Sequence, residues 1–233
     1  MKWYESYGFE ENPFTIKPSK EIIHFFGQKE IIDSLVDDIK EGKVSVVYGK
    51  YGTGKTTVMK GIINVYKGKR KLVYYNCYES DKPVDFKGIL VKGGNRMSAL
   101  LNIKSKEMII ILDEAHNLKL RDFENLVYYY NKGYFKSIVL VTSKIDFKFS
   151  DEIEELISNK YKLNELTEDD AVKLVKMRLN NLDILDEETI KEIFNNSKTV
   201  REFLMNCDDA CRKAFERGAQ KVEKEDLVAV ISV

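Results

Sequence analysis

The sequence has few of the features that identify a protein class at a glance. In 233 residues it has three prolines, three cysteines and two glutamines, and its formal net charge is zero. Three cysteines fit a reducing compartment, and zero net charge gives no overall field that would favour nucleic acid or a membrane. No apolar run reaches the roughly 18 residues that a membrane span needs, and the N-terminus lacks the apolar stretch of a signal peptide. We therefore expect a cytoplasmic protein with no membrane partner.

Short apolar runs alternate with helix-period segments over the first two thirds of the chain. Strands are expected at residues 43–48, 71–77, 108–112, 137–142 and 161–164. Helices are expected at residues 28–41, 56–66, 121–131 and 151–158. Continuous apolar strands that alternate with helices indicate a parallel α/β sheet. From residue 167 the β pattern stops, and three or four helices are expected.

This pattern predicts three segments. Residues 1–27 form an aromatic-rich arm, residues 28–166 an α/β core, and residues 167–233 a smaller helical domain. The arm's first five aromatic residues are Trp3, Tyr4, Tyr7, Phe9 and Phe14. They form either a surface for a partner protein or a layer that packs on the protein's own core.

A phosphate-binding loop follows the first predicted strand and opens a helix. Its sequence is Gly49-Lys50-Tyr51-Gly52-Thr53-Gly54-Lys55-Thr56, which matches G-x-x-x-x-G-K-[ST]. The glycines let the backbone turn its N–H groups toward phosphate oxygens, and the helix N-terminus adds a partial positive charge. We expect these eight residues and Thr57 to bind ATP. Lys55 would reach the β- and γ-phosphates, and the Thr56 hydroxyl would coordinate Mg²⁺.

Two carboxylates end the apolar run Ile109-Ile110-Ile111-Leu112. Asp113 comes first and is expected beside the phosphate loop, where it can hold the magnesium shell. Glu114 follows directly, and it can polarise a water in line with the γ-phosphate as a general base. The adjacent acid favours ATP hydrolysis over phosphoryl transfer to a metabolite. The alternative for Glu114 is that it caps the next helix.

A polar pair, Thr142-Ser143, ends the next predicted strand. A side chain at this position can contact the γ-phosphate or the attacking water. We favour Ser143 over Thr142, which can equally be an ordinary strand terminus.

With these motifs the chain resembles AAA+ ATPases, in particular origin-recognition-type initiators and the ExeA/TniB-type ATPases of secretion and transposition systems. Tyr7-Gly8-Phe9-Glu10-Glu11-Asn12-Pro13-Phe14 is similar to the ExeA-group opening GL-x-x-x-PF. Phe25-Phe26-Gly27-Gln28-Lys29-Glu30 resembles the h-x-GR-E box of the adenine pocket, with Gln28 in place of the usual arginine. Leu112-Asp113-Glu114-Ala115-His116-Asn117-Leu118 resembles the magnesium strand of both groups.

The resemblance implies a three-layer P-loop fold with sheet order 5-1-4-3-2 and a C-terminal helical lid. It implies that Phe26 and Gly27 contact the nucleotide. It also implies that Arg201, within Ser197-Lys198-Thr199-Val200-Arg201-Glu202-Phe203-Leu204, is the lid arginine that contacts the γ-phosphate. A surface arginine at a helix start is the alternative.

One departure concerns the arginine finger that a neighbouring subunit supplies in this family. No arginine occurs between Arg121 and Arg178, and Lys160 is the nearest cation in the expected region. An ammonium group is a poorer bidentate partner for phosphate than a guanidinium group. Either Lys160 takes this role or no residue does, and hydrolysis can then be slow.

Three functions are compatible with the sequence. The first is a DNA-associated ATPase of replication initiation, loading or transposition, with a protein partner or as a homo-oligomer. Six basic residues against one acid in residues 82–106 support DNA contact, although a solvated loop has the same composition. The second is an ATP-dependent protein-interaction switch with slow hydrolysis and no nucleic-acid role. The third is a metabolite kinase, which Glu114 disfavours.

Overall fold

The computed structural model describes residues 2–15, 28–67, 71–79, 83–93 and 103–231. The described chain divides into two compact units. One unit comprises residues 28–164, and the other combines residues 1–27 with residues 165–233. Each unit is described separately below.

The first unit is a five-stranded parallel sheet with helices between its strands. The strands are β1 (Val44–Tyr48), β2 (Leu72–Asn76), β3 (Met108–Asp113), β4 (Phe135–Thr142) and β5 (Ile157–Lys162). The helices are α2 (Lys29–Glu41), α3 (Lys55–Val65), α4 (Phe86–Lys92), α5 (Leu120–Asn131) and α6 (Asp151–Leu156). The strand order is β2-β3-β4-β1-β5, which confirms the predicted order 5-1-4-3-2.

The central strands are buried on both faces. Every residue of β3 is buried, and in β4 every residue except Lys136 is buried. This burial explains why both strands are almost continuous apolar runs, since a parallel sheet between helices has no solvent-facing side. Parallel pairing brings the carboxyl ends of β1, β3 and β4 to one edge of the sheet.

The predicted last strand was misplaced. The structure has it at Ile157–Lys162 and ends the preceding helix at Leu156, whereas the strand was expected at residues 161–164. β5 lies at the sheet edge, and half-buried residues alternate with exposed ones along it. An edge strand of this kind is polar, so it lacks the apolar run that identified β1, β3 and β4.

A buried carboxylate joins β5 to the rest of the unit. Asp38 of α2 accepts hydrogen bonds from Ser45 Oγ, Asn159 Nδ2 and Tyr161 Oη, each at 2.7 Å. Burial acts to raise the pKa of Asp38, but these hydrogen bonds and nearby Lys43 hold it below its ordinary value. The ionised carboxylate thus connects α2, β1 and β5, which compensates for the weak apolar character of the edge strand.

The second unit is helical. It contains α7 (Glu168–Arg178), α8 (Glu187–Asn195), α9 (Val200–Glu216) and α10 (Lys224–Ile231), together with the short N-terminal helix α1 (Trp3–Ser6). Thr167, Asp186 and Thr199 cap the first three of these, each side chain accepting a backbone N–H three residues ahead. Cys207 and Cys211 lie on one face of α9 and are buried in the core of the unit.

The N-terminal arm completes the core of this helical unit. Trp3 and Phe14 stack with ring centroids 6.0 Å apart and are almost fully buried. Trp3 Nε1 and Asn12 Nδ2 both donate to Asp208 Oδ1, at 2.7 and 2.9 Å. Arg178 Nη1 donates to the carbonyls of Pro13 and Thr15, at 2.9 and 3.1 Å. The five aromatic side chains between residues 3 and 14 therefore pack on the protein's own core.

Candidate functional site

The phosphate loop connects β1 to α3. Gly52 and Gly54 have φ angles of 88° and 91°, in the left-handed region that favours glycine. At Gly49 the constraint is space, because a Cβ atom there would lie 2.6 Å from Thr53 Oγ1 and 3.0 Å from Leu163 Cβ. Three glycines of the motif are therefore required by the shape of the loop. The N-terminus of α3 lies at the end of this curve.

The Lys55 side chain lies under the loop. It is only 7% exposed, and its Nζ donates to the carbonyls of Gly49 at 2.8 Å and Lys50 at 2.9 Å. Burial lowers the pKa of Lys55, and the carboxylates of Glu114 and Asp113 oppose that shift. The ammonium group thus lies at the centre of the site, between loop carbonyls and two acids.

Asp113 is the last residue of β3 and is 7% exposed. Its Oδ2 accepts a hydrogen bond from the Tyr74 hydroxyl at 2.5 Å, and its Oδ1 accepts one from the Glu114 backbone N–H at 3.0 Å. Burial and the hydrogen bond to Asp113 raise the pKa of Tyr74, so the phenol remains a donor. Thr56, the second expected magnesium ligand, is exposed at the start of α3.

Glu114 has an unusual backbone conformation, with φ 53° and ψ 43°. A non-glycine residue in the left-handed region costs about 1 kcal/mol or more and occurs preferentially at functional sites. The conformation turns the chain out of β3 and into the short helical turn Ala115–Asn117. The Glu114 side chain is 20% exposed, and its Oε2 accepts a hydrogen bond from Ser143 Oγ at 2.8 Å. The structure thus brings the expected base and Ser143 together.

His116 lies between Glu114 and Thr142 and contacts both side chains. His116 Nδ1 lies 3.3 Å from Glu114 Oε2 and 3.0 Å from Thr142 Oγ1. Burial lowers the pKa of His116, while nearby Glu114 opposes the shift. Thr142 is buried and also accepts the Lys144 backbone N–H at 3.1 Å. Of the pair that ends β4, only Ser143 contacts Glu114, whereas Thr142 supports the histidine.

No role was expected for His116 or Tyr74 from the sequence. His116 lies two residues after Glu114, and this short spacing was its only signal. Tyr74 lies two residues before the end of β2, whose Asn76 pairs with Asp113. Its side chain reaches along the neighbouring strand to the carboxylate, and only the strand register shows this.

The other expected nucleotide ligands fall outside the described residues or belong to the helical unit. Phe26 and Gly27 fall outside them, and the next residue, Gln28, donates from Nε2 to the Thr53 carbonyl at 3.4 Å. Arg201 is exposed near the start of α9 in the helical unit. Lys160 Nζ lies 2.6 Å from Glu154 Oε2, so the cation considered as a finger pairs with an acid of its own unit.

The basic segment is partly described. Lys82 and Arg96 lie outside the described residues. Lys87 and Lys92 are exposed on α4, a helix that the sequence did not predict and that Asp85 caps by accepting the Gly88 N–H at 2.8 Å. Lys104 Nζ lies over the rings of Tyr129 and Tyr134, at 5.0 and 5.2 Å from their centroids. Lys87 and Lys92 are therefore better placed than Lys104 to contact a partner.

Among the helices of the described ranges, none combines the length and the apolar character needed to cross a membrane.

Known proteins resemble this chain in sequence and in fold. The family described as "AAA domain" matches residues 41–168, more than half of the chain. A curated relative, the UvrABC system protein C of Mycoplasmoides gallisepticum, is 25% identical over 204 residues. That match covers 85% of this chain but only 30% of the relative's length.

Solved structures share the fold at low sequence identity. Cdc6p from Pyrobaculum aerophilum superposes with a TM-score of 0.71 at 13% identity, over 94% of this chain and 69% of that one. The Aeropyrum pernix ORC1 protein in complex with DNA gives a TM-score of 0.72 at 16% identity, over 95% and 69%. A Thermotoga maritima RuvB variant gives 0.69 at 14% identity, over 88% and 67%.

Proposed function

The chain belongs to the AAA domain family, and on that basis we propose that it is an ATPase that binds ATP through residues 49–57 and hydrolyses it with Glu114 as general base. The observation that carries this proposal is the grouping of Lys55, Asp113, Glu114 and Ser143 at one edge of the sheet. Ser143 Oγ donates to Glu114 Oε2 at 2.8 Å, and the charges of Glu114 and Asp113 act on Lys55.

The residues of the phosphate loop fit a nucleoside triphosphate. The loop curves so tightly that a Cβ atom at Gly49 would collide with Thr53. The Lys55 ammonium group lies beneath the loop and donates hydrogen bonds to two of its carbonyls. Such a loop presents backbone N–H groups and an ammonium group, which are the donors that phosphate oxygens require. Lys55 would exchange its carbonyl partners for phosphate oxygens, and the N-terminus of α3 would add its partial charge.

The donor set also fits Mg²⁺. Asp113 and Thr56 offer a carboxylate and a hydroxyl, the hard oxygen ligands that this ion prefers. When bound, Mg²⁺ would neutralise the charge that develops as the γ-phosphoryl group is transferred. Glu114 would orient the attacking water and take its proton, while Ser143 would hold the direction of that carboxylate.

The remaining parts of the site come from the resemblance and are proposals too. Residues 167–233 would act as a lid over the nucleotide, with Arg201 as the γ-phosphate contact, and residues 28–166 would be the ATPase core. The arm, residues 1–27, would contribute Phe26 and Gly27 to the adenine pocket. Because residues 2–15 pack on the helical unit, that contribution falls to the residues that follow them.

Replacing Lys55 with alanine tests nucleotide binding. We expect ATP affinity to fall about 100-fold, since a charge-assisted hydrogen bond contributes roughly 1.5–3 kcal/mol. The measurement is a calorimetric titration with ATP and Mg²⁺. Lys60→Ala is the matched control, because Lys60 is exposed on the same helix and should leave affinity unchanged. Equal affinity of the wild type and Lys55→Ala would contradict the assignment of the loop.

We further propose that the hydrolysis serves a DNA-associated process. Support comes from the shared fold with an ORC1 protein in complex with DNA and from the exposed Lys87 and Lys92. Removing both lysines should weaken duplex binding equally for different sequences, and should reduce the slope of log K against log salt by about two. The measurement is fluorescence anisotropy with labelled duplexes from low to moderate salt, with Lys60→Ala/Lys67→Ala as the charge-matched control.

A protein-interaction switch with slow hydrolysis is the second candidate. The observation that favours it is Lys160, which already pairs with Glu154, in a region without arginine from residue 122 to residue 177. DNA binding that is absent, or unchanged by salt, would favour the switch. Turnover that rises steeply with protein concentration would reveal sites shared between subunits and oppose it. Phosphate transfer to an added metabolite, in place of phosphate release, would instead indicate a kinase.

A further inference from the structure

The Tyr74 side chain, on the neighbouring strand β2, donates a hydrogen bond to Asp113, the carboxylate proposed to hold Mg²⁺. Its hydroxyl donates to Asp113 Oδ2 at 2.5 Å, within the range of a hydrogen bond between a hydroxyl and a carboxylate. The other oxygen, Oδ1, accepts the Glu114 N–H at 3.0 Å. A carboxylate has about four lone-pair directions, so two are used and two stay available to an ion or its water shell. The hydrogen bonds thus orient Asp113 without saturating it.

Packing does not account for the Tyr74 hydroxyl. The residue is 39% exposed, although it lies in a sheet whose central strands are buried. The next residue, Tyr75, points to the opposite face of the sheet and packs against the apolar core cluster around β3. Two tyrosines in one strand therefore have different surroundings, and only Tyr74 reaches the carboxylate.

Electrostatics gives the Tyr74 hydroxyl a further role. Asp113 and Glu114 are adjacent carboxylates, and the charges of both act on Lys55. A neutral donor on Asp113 offsets part of their repulsion and fixes the plane of the carboxylate. Partners of this kind orient metal ligands, and removing them typically costs 10- to 100-fold in metal affinity.

We propose that Tyr74 is a positioning residue, which holds Asp113 in the orientation that Mg²⁺ bound with the nucleotide requires. The inference rests on the proposed function, since it supposes that the loop binds nucleotide. It differs from that function in its consequence: Tyr74 strengthens nucleotide binding only when Mg²⁺ is present, and contributes nothing to the affinity for metal-free nucleotide.

The test is an equilibrium titration of the full chain with a fluorescent ADP analogue, once in MgCl₂ and once in EDTA. Tyr74→Phe keeps the ring and removes only the hydroxyl. We expect the gain in affinity from Mg²⁺ to fall about 10-fold in Tyr74→Phe, while the affinity in EDTA changes less than twofold. Tyr75→Phe is the matched control on the same strand and should reproduce the wild type. In an Asp113→Asn background, Tyr74→Phe should have no further effect, because the hydroxyl acts through Asp113.

Three results would contradict the role proposed for Tyr74, and they are distinguishable. An unchanged Mg²⁺ gain in Tyr74→Phe overturns the proposal, as does an equal loss in the Asp113→Asn background. A loss of affinity in EDTA that matches the loss in MgCl₂ assigns Tyr74 a merely structural role. The proposed function fails separately: in that case the wild type itself does not bind ADP in either buffer, and the inference about Tyr74 falls with it.

Discussion

Replacing Glu114 with glutamine is expected to lower ATP turnover about 100- to 1000-fold and to leave ATP affinity within threefold. The amide has the size of the carboxylate and can still accept a hydrogen bond from Ser143 Oγ, so the local structure is preserved. It cannot take a proton from the attacking water. The measurement is phosphate release at saturating ATP, paired with a binding titration of the same variant.

Glu107→Gln is the matched control for this experiment. Glu107 directly precedes β3, as Glu114 directly follows it, and it shares the left-handed backbone conformation with φ 59°. Glu107 lies at the other end of the strand, away from the phosphate loop. The ATP turnover of Glu107→Gln should therefore equal that of the wild type. Turnover of Glu114→Gln within threefold of the wild type would exclude Glu114 as the base, and the capping alternative would then stand.

Replacing Trp3 with alanine is expected to destabilise the helical unit by about 3–5 kcal/mol. The substitution removes a buried ring stacked on Phe14 and leaves Asp208 without one of its two donors from the arm. Since these contacts all lie in the helical unit, the loss of structure should be concentrated there. Hydrogen exchange followed by mass spectrometry measures this, as faster exchange in peptides from α7 and α9.

Two further variants separate the contributions of Trp3. Trp3→Phe keeps an aromatic ring but loses the hydrogen bond to Asp208, so we expect an intermediate effect of about 1–2 kcal/mol. Glu11→Ala changes an exposed residue of the same arm and should leave exchange unchanged. If Trp3→Ala left exchange in α7 and α9 unaltered, the arm would not be part of that core, and its aromatic residues would again be available to a partner.

The fold was predictable where burial dictates the sequence. The buried strands β3 and β4 are apolar throughout, and the glycines of the loop are required by backbone shape, so both are visible in the sequence itself. β5 was misplaced because an edge strand depends on polar contacts with Asp38, which lies more than 100 residues earlier in the chain. Helix α4 was not predicted because Gly88 lies inside it and weakens its pattern.

The candidate site was predictable in its motifs and not in its supporting contacts. Asp113 and Glu114 follow an apolar run and could be proposed from position alone. Position alone favoured Ser143 only slightly over its neighbour Thr142, and the hydrogen bond from Ser143 to Glu114 becomes visible only in the structure. Tyr74 and His116 depend on strand register and on a backbone turn, which local sequence patterns do not encode.

The discontinuity of the helical unit has a consequence for biosynthesis. Trp3 and its partner Asp208 are 205 positions apart, whereas the α/β unit is one uninterrupted stretch of chain. At typical translation rates of roughly 5–20 residues per second, the arm waits on the order of 10–40 s for the helices that cover it. During this interval the α/β unit can fold, so the arm is made before that unit and is buried after it. The nascent chain therefore carries uncovered aromatic side chains until the helices that pack on them have been made.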